Sequence, residues 1–309
     1  MKTFVFSVAI CLSFCAILPG QETKEPTKET KEPTKKVEDS IYAADSQWQD
    51  LLTKDLALWE VYTGVPHKSI QIPGFEKSTS EDGYKGKAYG LGDPLEIFSL
   101  QESANDPILQ ITGKVYAGLT TLKTYSDYHL TLEYKWGEKK WAPRENKLRD
   151  SGILIHCVGE HGSFWNVWMS SLECQVQETD TADFYPLAGP SAMIPIVKGD
   201  KSRMPKFDPK GDRVAVGNGS KQRRAQHLDV DVEIKNDWNR VDIYTLGDKS
   251  RFVVNGKLLM ILDDTKMGSQ ADGKALTGGK IQIQSEAADI FYRAVRLRTI
   301  KELPDFDAK

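Results

Sequence analysis

A period of two in hydrophobicity is the feature of this sequence that most limits how the chain can fold. From about Trp48 onward, short runs rich in β-branched and aromatic residues alternate with Gly, Pro, Asn and Asp. At 128–136 every second residue is apolar, which is typical of a strand with one buried face. Similar runs lie at 97–100, 108–111, 152–158, 172–176, 239–244, 250–254, 257–261, 280–284 and 294–299. Because no helices separate these runs, they predict a single all-β domain, a sandwich or jelly roll.

Three local signals refine this prediction. Asn255-Gly256 lies between two apolar runs and predicts a tight β-hairpin. A helical repeat is visible only near 44–58, if anywhere, so we expect at most one helix. The segment at about 186–226 is rich in Gly, Pro, Lys and Arg. We expect it to be a long irregular insertion, either functional or mobile.

The first 44 residues differ from the rest of the chain. Lys2 and the apolar stretch at 4–18 predict a signal peptide over 1–20, with a short membrane anchor as the alternative. A repeated Thr-Lys-Glu-Pro-Thr-Lys motif follows, and it predicts a disordered linker over 21–44. The folded domain is then expected at 45–303, in an exported protein that is periplasmic or extracellular. A lipoprotein is less favoured, because bulky Phe14 precedes Cys15.

Composition and charge exclude several classes of protein. The 309 residues include 41 Lys and Arg against 44 Asp and Glu, a net charge of −3, so we expect no binding of nucleic acid through general electrostatics. The chain has no phosphate-binding loop, dinucleotide fingerprint or Ser-centred elbow. Without a signal peptide only Cys157 and Cys174 remain, and alternation places both on the core side. A disulfide and two buried thiols are both left open.

Three consecutive strands each carry a polar face. Alternation puts Glu133 and Lys135 on one face of the first strand, and Glu173 and Gln175 on one face of the third. On the second strand it groups three residues on one face: Asp150, Gly152 and His156. If the strands are neighbours, these acidic, basic and imidazole groups line one polar surface above an apolar core.

An ordered set of segments resembles a known family. These segments are 125–136, 150–156, 173–178, 237–243, 253–257, 279–284 and 291–297. Together they resemble the exported 3-keto-disaccharide hydrolase domains, also described as 3-keto-glucoside 1,2-lyase / 3-keto-2-hydroxyglucal hydratase, over roughly 48–303. The resemblance implies a concanavalin A-like jelly-roll sandwich of two antiparallel sheets. The chain departs from the family in having Asp150 in place of Asn and His156 in place of Arg.

The implied reaction breaks the glycosidic bond by elimination. The C2 proton of a 3-keto sugar is acidic because its removal gives an enolate, which then expels the C1 oxygen. Such a site needs a base, a group that stabilises the enolate, and an acid. We assign Glu173 or His156 as the base and Lys135 as the stabiliser. The acid is then Glu178 or Glu133.

Other side chains are candidates for contact with the sugar. Gln175 and Asp150 would orient hydroxyl groups. Trp165, Trp168 and His161 lie in or beside a glycine-containing connection and could form the rim of a cleft. Trp136 is expected to pack in the core.

Two other functions stay open from the sequence. The spacing Glu173-x-Gln175-x-x-Glu178 resembles the strand of laminarinase-type retaining glycosidases, in which a bulge brings the second Glu onto the face of the first. A lectin-like, non-catalytic carbohydrate-binding module would use the aromatic residues alone. Turnover would distinguish the enzymes from the binding module.

The expected partners and cofactors are few. A carbohydrate is the expected substrate, and a separate sugar oxidoreductase would supply its keto group, since the sequence carries no nicotinamide-binding motif. We expect a monomer and no essential cofactor. Asp180 and Asp183 are the candidate ligands if a divalent metal such as Ca²⁺ is used.

Overall fold

The strands predicted from alternation are present and pair into two sheets. The structure is a computed structural model that describes residues 41–101, 103, 106–197 and 204–306. Within these ranges there is no α-helix. The strands are β1 (Gln49–Asp50), β2 (Trp59–Thr63), β3 (Gly90–Leu91), β4 (Phe98–Gln101), β5 (Ile108–Ile111), β6 (Ala117–Thr121), β7 (Tyr128–Lys140), β8 (Asp150–Val158), β9 (Ser170–Gln177), β10 (Phe184–Leu187), β11 (Pro190–Val197), β12 (Lys206–Phe207), β13 (Asp212–Gly217), β14 (Asn239–Leu246), β15 (Lys249–Val254), β16 (Lys257–Met267), β17 (Lys274–Ala275), β18 (Lys280–Ser285) and β19 (Ala288–Thr299).

Every strand pairing in the described residues is antiparallel. The seven-stranded sheet has the order β10-β9-β8-β18-β6-β2-β3. The twelve-stranded sheet has the order β12-β11-β16-β15-β14-β7-β19-β5-β4, with β1 on β19, β13 on β11 and β17 on β16. Chain neighbours such as β7 and β8 thus belong to different sheets, as expected of a jelly roll. The predicted all-β sandwich of two antiparallel sheets is confirmed.

The hydrophobic core lies between the sheets. From β7, Leu130 and Leu132 point inward and are almost fully buried. They belong to the same core cluster as Ile153 of β8 and Cys174 of β9. Alternation along each strand therefore leaves the polar residues of β8 and β9 on the outer face of the seven-stranded sheet.

The predicted hairpin is confirmed. Asn255 and Gly256 connect β15 to β16, with Val254 opposite Lys257. Their φ angles are 49° and 80°, in the left-handed region that a two-residue turn of this kind requires.

The weak helical repeat at 44–58 forms no helix, and the chain makes turns and the short strand β1 there. Two other predictions about local structure are wrong. The segment at 186–226 is not irregular where it is described, because β11 and β13 pair and extend the larger sheet. The end of the predicted linker belongs to the folded body, since Ile41 and Tyr42 are buried against Ile300.

The predicted signal peptide and residues 21–40 of the predicted linker lie outside the described residues. In the part of the chain that is described, no helix is long and apolar enough to cross a membrane.

Candidate active site

The three polar strands do not form one surface. β8 and β9 are neighbours, but β7 lies in the other sheet, between β14 and β19. Glu133 faces away from the core there and forms an ion pair with Arg293. Lys135 is two residues further along the same face of β7. The predicted roles of Glu133 as acid and Lys135 as enolate stabiliser are therefore wrong, because neither can reach the face that carries Glu173.

The predicted face shared by β8 and β9 is present. Leu154 lies opposite Glu173, and Gly152 lies opposite Gln175. Directly opposed residues of an antiparallel pair point to the same side of the sheet. Glu173 and Gln175 therefore project from the outer face, as the alternation predicted.

His156 does not belong to this face. It has φ 51°, and the register between β8 and β9 shifts between Ile155 and Val158. This bulge turns the imidazole into the core, edge-on to Tyr128, where its Nδ1 lies 3.2 Å from the carbonyl oxygen of Leu276. Burial lowers the pKa of His156 to about 4. Its predicted role as a base of the site is wrong.

The same bulge changes the position of one cysteine. Cys157 joins a small apolar cluster with Leu154 and Trp168 on the outer side of the sheet, whereas Cys174 lies in the main core. Both thiols are free and buried. The prediction that both face the core is wrong for Cys157, and the alternative of two buried thiols is the correct one.

Three carboxyl groups share the outer face where β8, β9 and β18 meet. Glu173 and Asp150 are joined by Glu286, which follows β18, and each of the three is at most 5% exposed. Arg144 contacts two of them, with its Nη2 2.5 Å from Asp150 Oδ2 and its Nη1 3.6 Å from Glu286 Oε1. One guanidinium therefore pairs with two of the three carboxyl groups.

The shortage of positive charge and the burial raise the pKa values of these groups. Burial raises the pKa of Glu173 well above its usual range, and the charge of Asp150 adds to the effect. Burial and Asp150 act on Glu286 in the same way. Burial also raises the pKa of Asp150, to about 7, against the opposing effect of Arg144. Near neutral pH the site thus holds both protonated carboxylic acids and a group able to gain or lose a proton.

Sequence reasoning missed Glu286, Arg144 and Gln284. Gln282, Gln284 and Glu286 alternate with buried Ile and Ser residues, so the polar face of β18 could have been found in the same way as those of β8 and β9. Arg144 lies in the connection before β8, and no periodic signal marks it.

Glycine at position 152 provides space within the cluster. A Cβ at Gly152 would overlap Glu173 Oε1 and the carboxamide of Gln284. Asp150 Oδ1 and both polar atoms of the Gln284 carboxamide are buried without a hydrogen-bond partner among the described residues. Unpaired buried polar groups are costly, so these atoms are suited to bind the hydroxyl and carbonyl groups of a ligand.

Glu178 lies elsewhere. The register of β8 on β9 is regular from Asp150 opposite Gln177 to Ile155 opposite Leu172, so no bulge brings Glu178 onto the face of Glu173. Glu178 instead pairs with Arg149 and lines a cavity of about 480 Å³ with Trp136. Burial alone would raise the pKa of Glu178, but the hydrogen bonds and charge of Arg149 lower it.

Of the three residues predicted to form the rim of a cleft, Trp168 is buried, whereas Trp165 and His161 are at least partly exposed. Trp168 is buried, and its Nε1 donates a hydrogen bond to the carbonyl of Ala117, so it packs under the site instead of contacting sugar as predicted. Trp165 is 39% exposed and stacks on Tyr84 at 4.7 Å. His161 stacks on Tyr62, and its Nε2 lies 3.2 Å from Glu60 Oε1.

The candidate calcium ligands have other partners. Asp183 Oδ1 accepts hydrogen bonds from the backbone N–H of His227 and from its Nδ1, at 2.8 and 2.7 Å. Asp180 Oδ2 accepts one from Gln177 Nε2. Within the described part of the chain, no group of three or more His, Cys, Asp or Glu side chains is placed to hold a metal ion.

An all-β sandwich with a carboxyl-rich, aromatic-rimmed face on one sheet is the arrangement of a carbohydrate-active domain. A family model for the 3-keto-alpha-glucoside-1,2-lyase-like domain matches residues 47–298. The chain belongs to this family, and the resemblance seen in the sequence is confirmed.

Solved structures similar to this chain are distant in sequence. Two candidate glycosyl hydrolases from Parabacteroides distasonis have 14% and 16% identity and TM-scores of 0.46 and 0.43. The alignments cover 87% and 82% of this chain and 98% and 99% of theirs. A Bacillus licheniformis beta-glucanase has 10% identity and a TM-score of 0.40, with 83% of this chain and 98% of the glucanase covered. No curated protein matches this chain.

Proposed function

We propose that this protein cleaves the glycosidic bond of 3-keto glucosides by elimination at the outer-face carboxyl cluster. The observation that carries the proposal is the buried cluster in which Asp150 pairs with Arg144 while the Glu173 carboxyl lies against Gly152 on the same face. In this cluster the pKa of Asp150 is raised to about 7 and that of Glu173 well above its usual range. A carboxylate and a carboxylic acid on one face supply the base and the acid that elimination needs.

The two carboxyl groups have different roles. Asp150 has one oxygen held by Arg144 and one buried without a partner among the described residues, so its free oxygen takes the C2 proton. Glu173 is protonated and donates its proton to the departing C1 oxygen. The C2–H and C1–O bonds break and a C1=C2 double bond forms. Addition of water to that double bond would use the same groups in reversed roles.

The carboxamides stabilise the charge that develops on the sugar. Gln284 Nε2 has no hydrogen-bond partner within the described residues and can donate to the C3 oxygen as it becomes an enolate. Gln175, on the same face as Glu173, can bind a neighbouring hydroxyl. Arg144 keeps Asp150 oriented and makes it the most acidic of the three carboxyl groups.

The placement of Glu178 supports elimination over a retaining glycosidase mechanism. Retention requires two carboxyl groups about 5–5.5 Å apart across the scissile bond. Glu178 faces Arg149 and a different cavity, so it does not complete such a pair with Glu173. Since the substrate carries a keto group, a separate sugar oxidoreductase would act before the protein described here. We further propose that the protein described here is exported.

The proposal is tested by following aglycone release from a 3-keto glucoside and from its unoxidised parent. We expect release from the keto sugar alone. Release from the parent at a similar rate would instead support a glycosidase, and saturable binding of both without release would support a carbohydrate-binding module.

A further inference from the structure

We propose that a cleft beside Tyr185 is a leaving-group subsite in which Arg223 and Arg224 bind an anionic group, so that the preferred substrates are 3-keto glycosides of acidic sugars. This inference rests on the proposed function and names the substrate class of the same site. The acidic group is a carboxylate, sulfate ester or phosphate ester, each an oxyanion that guanidinium groups bind.

The cleft has about the volume of a sugar residue and mixed walls. It encloses about 280 Å³, and its lining includes Phe164, Tyr185, Leu187, Asn218, Arg223 and Arg224. Aromatic rings pack against sugar faces, while amide and guanidinium groups bind sugar oxygens. The walls therefore suit a polar ring better than a fully apolar aglycone.

The charge of the cleft is one-sided. None of the described residues that line it is acidic. Arg224 donates a hydrogen bond to the Tyr185 hydroxyl at 2.7 Å and lies over its ring, but neither contact neutralises it. Among the described residues, neither Arg223 nor Arg224 has a carboxylate partner, so the two guanidinium groups attract an anion.

The arginines are held in place by the backbone. After β13 the chain pairs Gln222 with Val216, and it then pairs Ala225 with Phe184 of β10. Ala225 and Phe184 exchange both of their backbone hydrogen bonds, at 2.9 and 3.1 Å. Arg224 thus lies beside the strand that carries Tyr185, in the basic sequence at 221–224.

The cleft adjoins the proposed catalytic groups through Tyr185. Tyr185 lies directly opposite Glu173 in the pairing of β10 with β9, so the two side chains project from the same face about 5 Å apart at their Cβ atoms. Glu173 is the proposed donor to the leaving oxygen. A leaving sugar attached to that oxygen would extend past Tyr185 toward the two arginines.

The experiment compares kcat/KM of the full chain for matched 3-keto disaccharides. Their leaving sugars are glucose, glucuronic acid, glucose 6-sulfate and glucose 6-phosphate, so the arms separate carboxylate, sulfate and phosphate. We expect at least one anionic leaving sugar to raise kcat/KM about tenfold or more over glucose, the gain from one charge-assisted hydrogen bond. The preference should shrink as salt rises from about 20 mM to about 0.5 M.

Variants assign the preference to the arginines. The double variant Arg223→Gln/Arg224→Gln should bring the ratio of anionic to neutral kcat/KM close to one. Arg223→Gln alone removes no hydrogen bond or ion pair of the described residues, and it should lower this ratio. Lys221→Gln is the matched control, because Lys221 neighbours the pair without lining the cleft. It should keep the preference.

Two results would overturn the inference. One is equal kcat/KM for neutral and all anionic leaving sugars in the wild type, and the other is a preference that survives in the double variant. If no keto glycoside is cleaved, the proposed function fails, and calorimetric titration with free glucuronate, glucose 6-sulfate, glucose 6-phosphate and glucose then tests the cleft. Anion binding lost only in the arginine variants supports the subsite, whereas no difference from glucose refutes it.

Discussion

Gly152 determines how closely the groups of the site approach one another. The Glu173 carboxyl and the Gln284 carboxamide occupy the space that a side chain at position 152 would fill. Asp150 lies two residues away on the same face, about 7 Å along the strand. At the residue scale, the site therefore depends on a missing Cβ as much as on the charged groups themselves.

Gly152→Ala should lower kcat/KM for a 3-keto glucoside by about 100-fold, since a misplacement of about 1 Å can cost that much. Steady-state kinetics beside circular dichroism and a thermal midpoint would measure this. An active, fully folded alanine variant would show that Glu173 does not need its present position.

Asp150→Asn and Glu173→Gln should each lower turnover by at least about 100-fold, the usual contribution of a positioned acid or base. Both replacements keep the shape of the side chain, so the folded state should persist. Ser163→Ala is the control, because it alters an exposed hydroxyl in the connection after β8 and should leave turnover unchanged. Wild-type turnover in both carboxyl variants would remove these residues from the mechanism.

The pH dependence of stability follows from the raised pKa of Asp150. Its value in the folded protein is about 7, against 3.8 for the ordinary group. At this group the folded state therefore binds more protons between these pH values, so the contribution of Asp150 to the free energy of unfolding should fall as pH rises from about 4 to 7. Denaturant titrations across this range should show that Asp150→Asn gains stability relative to the wild type as pH rises. A constant difference between the two proteins would contradict the assignment.

At the scale of elements, the bulge in β8 decides which residues reach the site. Alternation predicts the faces of Asp150, Glu173 and Gln175 correctly, because β8 and β9 are regular up to Ile155. It fails at His156 and Cys157, because one extra residue reverses the side to which the chain points. No feature of the sequence at 153–158 distinguishes a bulged strand from a regular one.

His156→Asn should separate structure from catalysis. Asn tolerates the positive φ of this position, so the backbone should keep its path. Because His156 lies outside the site, turnover should stay within about threefold of wild type, less than the tenfold change that about 1.4 kcal/mol would give. The pKa of His156 is about 4 in the folded protein, against 6.5 ordinarily. The contribution of His156 to stability should therefore fall as pH drops from about 6.5 to 4, and His156→Asn should gain stability relative to the wild type over that range. A large loss of turnover with intact folding would restore His156 to the mechanism.

At the scale of the whole molecule, topology decides which strands share a surface. The sequence predicts the type of element well and locates ten of the nineteen described strands, and the Asn255-Gly256 turn is unambiguous. It does not reveal that β7 and β8 lie in different sheets, because pairing depends on contacts between residues far apart in the chain. Glu133 and Lys135 therefore lie on a different sheet from Glu173, and Glu286 reaches the site from just after β18, more than 100 residues beyond β8.

The pH dependence of catalysis belongs to the whole site. Because Asp150 must be ionised and Glu173 protonated, kcat/KM should fall below a pH of about 7, where Asp150 gains a proton, and fall again at higher pH, where Glu173 loses its own. A pH–rate profile with a neutral 3-keto glucoside would measure both limbs. A flat profile from pH 5 to about 9 would be inconsistent with this pair of groups.

The central claim is that the bond breaks by loss of the C2 proton, and the most direct measurement is cleavage of a 3-keto glucoside deuterated at C2. In parallel, the products formed in D₂O from the undeuterated substrate should be examined for deuterium at C2. The elimination mechanism predicts a primary isotope effect or incorporation of solvent deuterium at C2, and both should disappear with turnover in Asp150→Asn. Cleavage at the same rate for both isotopologues, with no exchange at C2, would contradict it and indicate direct hydrolysis.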